Sequence, residues 1–283
     1  MNIAIFHDGG SHFFKPLAKH WGEQGHEVRE NANYSYWEGW SPDLVLFEFC
    51  NRNVVDFTNK WVHEYGRPSK VVVRCHGVGV RLNIYKNVNF DYVDDVIFVS
   101  NWLKNQTDGW NGQGFEGVPK HVVYNGINLD KFRLKRDFEF TYKIGYAGRM
   151  IDLKGIDQLP AILAKFKEID SRYELIIADP AENRDRDMNE WYEQIDYLIN
   201  PSLSESFCYV VGEALAKGIR PLIGNWGSSS EVWGNDFYLD DFCLDRTPDR
   251  FRRIIEQKYD EKRMIKEISD ICGVQDVSGT GCV

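Results

Sequence analysis

The chain predicts an α/β fold built from two Rossmann-like halves. Two observations carry this reading. Short apolar runs with buried-strand character alternate with helical stretches, which implies a parallel sheet covered on both faces. The alternation then occurs a second time, with the join near residues 125–133.

In the first half, strands are expected at Asn2–Phe6, Glu27–Glu30, 44–49, 71–75, 96–100 and 121–124, with helices such as 12–24 and 54–65 between them. In the second half, strands are expected at 142–146, Glu174–Ala178, Tyr197–Asn200 and Arg220–Ile223. Helices belong at 156–168, 207–217 and Ser229–Val232. Two strongly helical segments follow, 249–259 and 260–270. The last residues, 273–283, are rich in Gly, Ser and Thr and read as a flexible tail.

Composition narrows the function. A formal charge of −9 argues against a surface made chiefly to grip nucleic-acid backbones or anionic lipid. No apolar run approaches the ~20 residues of a membrane span. The apolar start is too short for a signal peptide, since His7-Asp8-Gly9-Gly10 interrupts it at once. The six cysteines are scattered and form no Cys-x-x-Cys pair, so reduced thiols in a cytoplasmic setting are expected.

The most informative stretch runs from Asn200 to Gly218. A strand stops at Pro201, Ser and Glu crowd the next turn, and a helix follows until Gly218 ends it. Glu205 stands at the helix mouth and Glu213 eight residues on, about 12 Å along the axis. Carboxylates so spaced cannot share a proton. They suit the two ends of one elongated polar ligand, its anionic middle resting on the helix N-terminus.

This stretch resembles the signature of retaining glycosyltransferases of family 4, with two Glu residues flanking a Phe step. Ile144-Gly145-Tyr146-Ala147-Gly148-Arg149 followed by Lys154-Gly155 resembles the family's phosphate loop. Tyr124-Asn125-Gly126-Ile127-Asn128 with Phe132, Val96-Ile97-Phe98-Val99-Ser100, and Cys75-His76-Gly77 are also similar to family segments, in the family's order. The resemblance spans roughly residues 1–235. It implies a GT-B fold, two Rossmann-like domains facing a cleft. Residues 1–127 would be the acceptor side and 128–247 the donor side, with helices 248–272 returning to the first domain.

The resemblance also implies roles. Arg149 and Lys154, after the Gly148 bend, would neutralise a diphosphate leaving group. Glu205 and His76 would position the donor sugar. Glu213 would hold the ribose as a double acceptor. Ser206, Phe207, Cys208 and Tyr209 form the donor-facing turn, and their backbone N–H groups would meet phosphate or sugar. Gly9 and Gly10 would let a substrate approach the backbone closely. Cys208 replaces the family's usual Gly; it either narrows the pocket or is neutral. Phe13, Phe14, Leu17 and Trp21 could border an acceptor site, although that spacing also reads as a core face.

The implied activity is transfer of a sugar from a nucleotide diphosphate sugar to an acceptor hydroxyl with retention of configuration. The acceptor is open among glycan, lipid, protein and small molecule, with modified nucleic acid behind them. No metal and no cofactor are implied; Asp185-Arg186-Asp187 has a metal-like spacing but sits in a charged loop. The protein is expected in the cytoplasm, with peripheral membrane contact left open. A phosphorylase- or epimerase-like GT-B enzyme and a non-catalytic sugar-nucleotide or glycan-binding module are the alternatives. One departure from the family bears on specificity. Residues 179–194 are short and mostly charged where relatives carry a strand–helix–strand that helps to bind the base.

Overall fold

The computed structural model describes residues 1–7, 11–31, 40–182 and 187–275. It divides into two compact units. The first takes residues 1–125 and 262 onward, the second 126–261.

The first unit begins β1 (Asn2–Phe6), α1 (Ser11–Glu23), β2 (Glu27–Glu30) and β3 (Leu44–Phe47). A continuous helical segment follows as α2 (Arg52–Asp56), a π-helical stretch at Phe57–Trp61 and α3 (Val62–Tyr65). Then come β4 (Lys70–Cys75), α4 (Gly77–Arg81), β5 (Asp95–Phe98), α5 (Asn101–Asn105) and β6 (Lys120–Val122). The strands pair in parallel in the order β2-β1-β3-β4-β5-β6.

Alternate residues on these strands feed two cores, because side chains of a strand point to opposite faces. Ala4, Phe6, Val45, Phe47, Val71, Val73, Val96 and Phe98 enter one. Ile3, Ile5, Leu44, Leu46, Val72 and Ile97 enter the other. Burial on both faces is why the strands read as unbroken apolar runs. Phe14, Leu17 and Trp21 of α1 belong to the second core, so the core-face reading holds for them.

The second unit contains β7 (Lys143–Ala147), α6 (Leu159–Ile169), β8 (Glu174–Ala178), α7 (Met188–Glu193), β9 (Tyr197–Asn200), α8 (Tyr209–Ala216), β10 (Arg220–Ile223), α9 (Ser229–Val232) and α10 (Pro248–Lys258). Its sheet is parallel, in the order β10-β9-β7-β8. Ile144, Tyr146, Tyr197, Ile199 and Leu222 pack beneath Leu159, Ile162 and Phe166 of α6.

The two terminal helices divide between the units. Helix α10 packs on α8 within the second unit. Helix α11 (Glu261–Cys272) supplies Met264, Ile268 and Cys272 to the first unit's core. There Trp21 Nε1 donates to Ser269 Oγ at 2.8 Å. Gly9, Gly10 and residues 276–283 of the expected tail lie outside the described residues. Among the described residues no helix is long and apolar enough to cross a membrane.

Candidate functional site

In the second unit the parallel strands deliver their following turns to one edge of the sheet, the carboxyl edge where open α/β sheets bind ligands. Strand β7 leads into Gly148, whose φ of +158° suits glycine, and Gly148 N–H donates to Ala178 O at 3.0 Å. Tyr146 donates its hydroxyl to Arg149 O at 3.0 Å and pins the turn. Burial, and behind it the charges of Glu205 and Asp179, push the Tyr146 phenol up to about 12, so it stays a donor. The Arg149 side chain is exposed and makes no hydrogen bond or ion pair among the described residues.

Lys154 ends a short 3-10 turn, Asp152–Lys154, and Gly155 follows with φ +66°. A Cβ on Gly155 would lie 2.1 Å from Pro201 O. Only glycine lets these two backbones approach so closely. That approach, with Leu203 N–H on Leu153 O at 3.0 Å, presses the turn after β7 against the turn after β9. It sets the Lys154 ammonium on Glu205 Oε1, which also accepts from Ser202 Oγ at 3.0 Å.

The turn carrying Glu205 is held from behind. Ser228 Oγ lies 3.1 Å from both Glu205 O and Ser206 O. Trp233 Nε1 donates to Phe207 O at 2.8 Å. The Phe207 ring is buried against Tyr209, Trp233 and Tyr259, so only its backbone is available to a ligand.

Cys208 caps α8 with φ +69°, ψ 83°, a left-handed conformation that favours glycine. Asn200 Nδ2 donates to its Sγ at 3.2 Å. Burial, then Glu205, raise the Cys208 thiol well above its ordinary range, which disfavours a thiolate. Tyr209 opens α8, and the free N–H groups of a helix's first turn favour an anion there.

On the same helix, Glu213 Oε2 accepts from Tyr192 OH at 2.8 Å. Burial raises the Glu213 carboxyl, opposed by the Tyr192 bond and by Lys131. Tyr192 comes from α7, inside the short charged segment after β8. Its ring is fully buried, and an apolar Trp191-Tyr192 pair within a charged run was the available signal.

His76 belongs to the first unit, where it follows β4 and precedes α4. Its Nε2 lies 2.9 Å from Glu48 Oε1, and Arg74 Nη1 donates to the same oxygen at 2.9 Å. Arg74 Nη2 donates to Asn125 Oδ1 at 2.6 Å. Glu48 and Arg74 are fully buried. The imidazole sits between Phe13 and Phe49, each ring centroid 4.6 Å away. Burial lowers the His76 pKa; Glu48 opposes this.

The structure therefore gathers Gly148, Arg149, Lys154, Glu205, Ser206, Phe207, Cys208, Tyr209 and Glu213 on the second unit, and His76 on the first. Sequence reasoning missed Glu48 and Arg74. Each is a charge inside an apolar strand run, and such a residue needs a buried partner. Among the described residues no group of three His, Cys, Asp or Glu side chains could hold a metal ion.

No protein-family model matches the chain. Protein CapJ of Staphylococcus aureus is 23% identical over 188 residues, 58% of this chain and 47% of CapJ, so the match spans about half of that relative. Among solved structures, sucrose-phosphate synthase from Thermosynechococcus elongatus superposes with a TM-score of 0.71 at 14% identity, covering 96% of this chain and 98% of that one. Anabaena HepE in complex with UDP-glucose gives 0.69 at 14% identity, covering 97% and 100%. The lipopolysaccharide outer core galactosyltransferase WaaB gives 0.63 at 13% identity, covering 97% and 100%. The chain has the GT-B fold of these glycosyltransferases, as its sequence led one to expect.

Proposed function

We propose that this chain is a retaining glycosyltransferase of the family-4 type. It moves a sugar from a nucleotide diphosphate sugar to an acceptor hydroxyl. The observation that carries the reading is the union of Arg149, Lys154 and Glu205 at one sheet edge, beside the N-terminus of the helix that bears Glu213. The HepE neighbour bound to UDP-glucose and the α-glucosyltransferase neighbour bound to UDP support a nucleotide-sugar donor.

In this mechanism the diphosphate rests on Arg149, Lys154 and the N–H groups at the start of α8. Glu205 aligns the sugar and Glu213 holds the ribose hydroxyls. The bond from the anomeric carbon to the diphosphate oxygen breaks, and its electron pair leaves with the diphosphate. The acceptor oxygen bonds to the same carbon on the vacated face, and its proton passes to the departing phosphate. Preorganised cations stabilise charge that grows only as the bond breaks, which lowers the barrier. Donor turnover needs no divalent metal, so it persists in EDTA.

Proton NMR of the first-formed product tests the stereochemistry. The reading expects the donor's anomeric configuration in the product; an inverted linkage removes the family-4 assignment.

A further inference from the structure

The second unit carries a cavity that the proposed donor site leaves unused. Its volume is about 200 Å³, and it lies at the carboxyl edge of the sheet, between the turns after β9 and β10. Residues 237–239 run beside β10: Ile223 N–H donates to Phe237 O at 2.8 Å, and Leu239 N–H donates to Ile223 O at 2.9 Å. Tyr238 and Asp240 thereby reach one wall, while Gln158, just ahead of α6, and the 201–203 turn make the other. Glycine at 224 lets the two turns meet, because a Cβ there would lie 2.8 Å from Ser202 O. Arg149, Lys154 and Glu205 do not line this space.

The lining suits a sugar. Gln158 and Asn225 bring amides, which both donate and accept, and Asp240 brings a carboxylate, which grips adjacent hydroxyls. The Asp240 carboxylate has no hydrogen-bond partner among the described residues. Leu203, 61% exposed, gives apolar surface for the C–H face of a ring. Asp240 is the only charged residue among those described in the lining, so a phosphate or a uronate is disfavoured. Sites for drug-sized ligands take roughly 300–1,000 Å³, so this smaller space suits a single ring and excludes a nucleotide. Leu203, Asn225 and Asp240 are exposed, which leaves a way out for a chain attached to that ring.

We propose that this cavity seats one neutral hexose ring of a glycan, at a site separate from the donor site. It gives the second unit a hold on a glycan through Asp240, Asn225 and Gln158.

The test is ¹H–¹⁵N NMR titration of ¹⁵N-labelled protein in excess UDP. The probes are methyl glycosides of glucose, galactose, mannose, N-acetylglucosamine and glucuronic acid, then trisaccharides of the ring that binds. At least one neutral methyl glycoside should shift the amides of Asn225, Tyr238, Leu239 and Asp240 at millimolar concentration, and its trisaccharide should shift the same amides. The glucuronide should bind more weakly. Asp240→Ala should raise the dissociation constant at least tenfold, the worth of a hydrogen bond to a charged group. That side chain is exposed, so its removal leaves the fold intact. No shift at these amides, shifts confined to residues 206–209, or unchanged binding by Asp240→Ala overturns the site. A monosaccharide that binds while every trisaccharide fails overturns the glycan assignment. Hexose binding here without turnover of any donor upholds the inference and defeats the transferase reading; donor turnover without hexose binding does the reverse.

Discussion

Lys154 is ion-paired with Glu205, joining two turns that lie 51 residues apart in sequence. The pair is partly shielded, and Ser202 shares the same carboxylate oxygen. If the lysine also meets the leaving diphosphate, the two residues act as one unit. Lys154→Ala should then lower kcat about 100-fold, and Glu205→Gln should lower it as well. The double variant should lose clearly less than the product of the two single losses. Initial rates for all three variants check this; strictly multiplicative losses would show that the pair does not work together.

Arg149 lacks a side-chain partner among the described residues, so its removal has no folded-state contact to break. Arg149→Ala should leave stability within about 0.5 kcal/mol of the wild type. Its kcat should nevertheless fall about 100-fold, because the lost charge matters most in the transition state. Urea unfolding beside steady-state kinetics separates the two effects. A large stability loss would make Arg149 structural.

Glu213 is raised by burial, which gives its stability effect a definite sign. Between the usual carboxylate range and the raised value, the folded state binds more protons than the unfolded state, so this group's contribution falls as pH rises. Glu213→Gln removes that burden and keeps an acceptor for Tyr192. Its stability relative to the wild type should be better at pH 7 than at a pH below the unfolded carboxylate value. Donor binding should weaken, with KM rising more than kcat falls. Thermal melts across pH and donor titrations check both halves. A relative stability independent of pH contradicts the burial argument.

Cys208 holds a left-handed backbone with a side chain present. Cys208→Gly should relieve strain of about 1 kcal/mol, against which the loss of one small buried thiol is a lesser term. Chemical denaturation should show equal or greater stability. A loss above about 1 kcal/mol would mean that the thiol's packing and its bond from Asn200 matter more than the backbone.

Much of this was legible in the sequence for physical reasons. Strands buried on both faces, such as β1, announce themselves as apolar runs. Lys154, Glu205 and Glu213 were singled out by motif resemblance, and the structure places them in a turn, before a helix and on that helix. The partners were not legible. Tyr192 reaches Glu213 across 21 residues, and Glu48 reaches His76 across 28. A lone charge in a strand shows that it needs a partner without saying which one. The start of α8 at Tyr209 rather than 207 follows from the positive φ of Cys208, which the residue type conceals. The π-helical stretch at Phe57–Trp61 likewise left no mark in the helical pattern of 54–65.

The most direct test of the central claim is turnover of radiolabelled nucleotide diphosphate sugars, measured as transfer or as slow hydrolysis, by the wild type, Arg149→Ala and Lys154→Ala. The account predicts that the wild type consumes at least one donor and that both variants lose about 100-fold in kcat while remaining folded. Near-normal kcat and donor KM in both variants, or no turnover of any donor by the wild type, would contradict it.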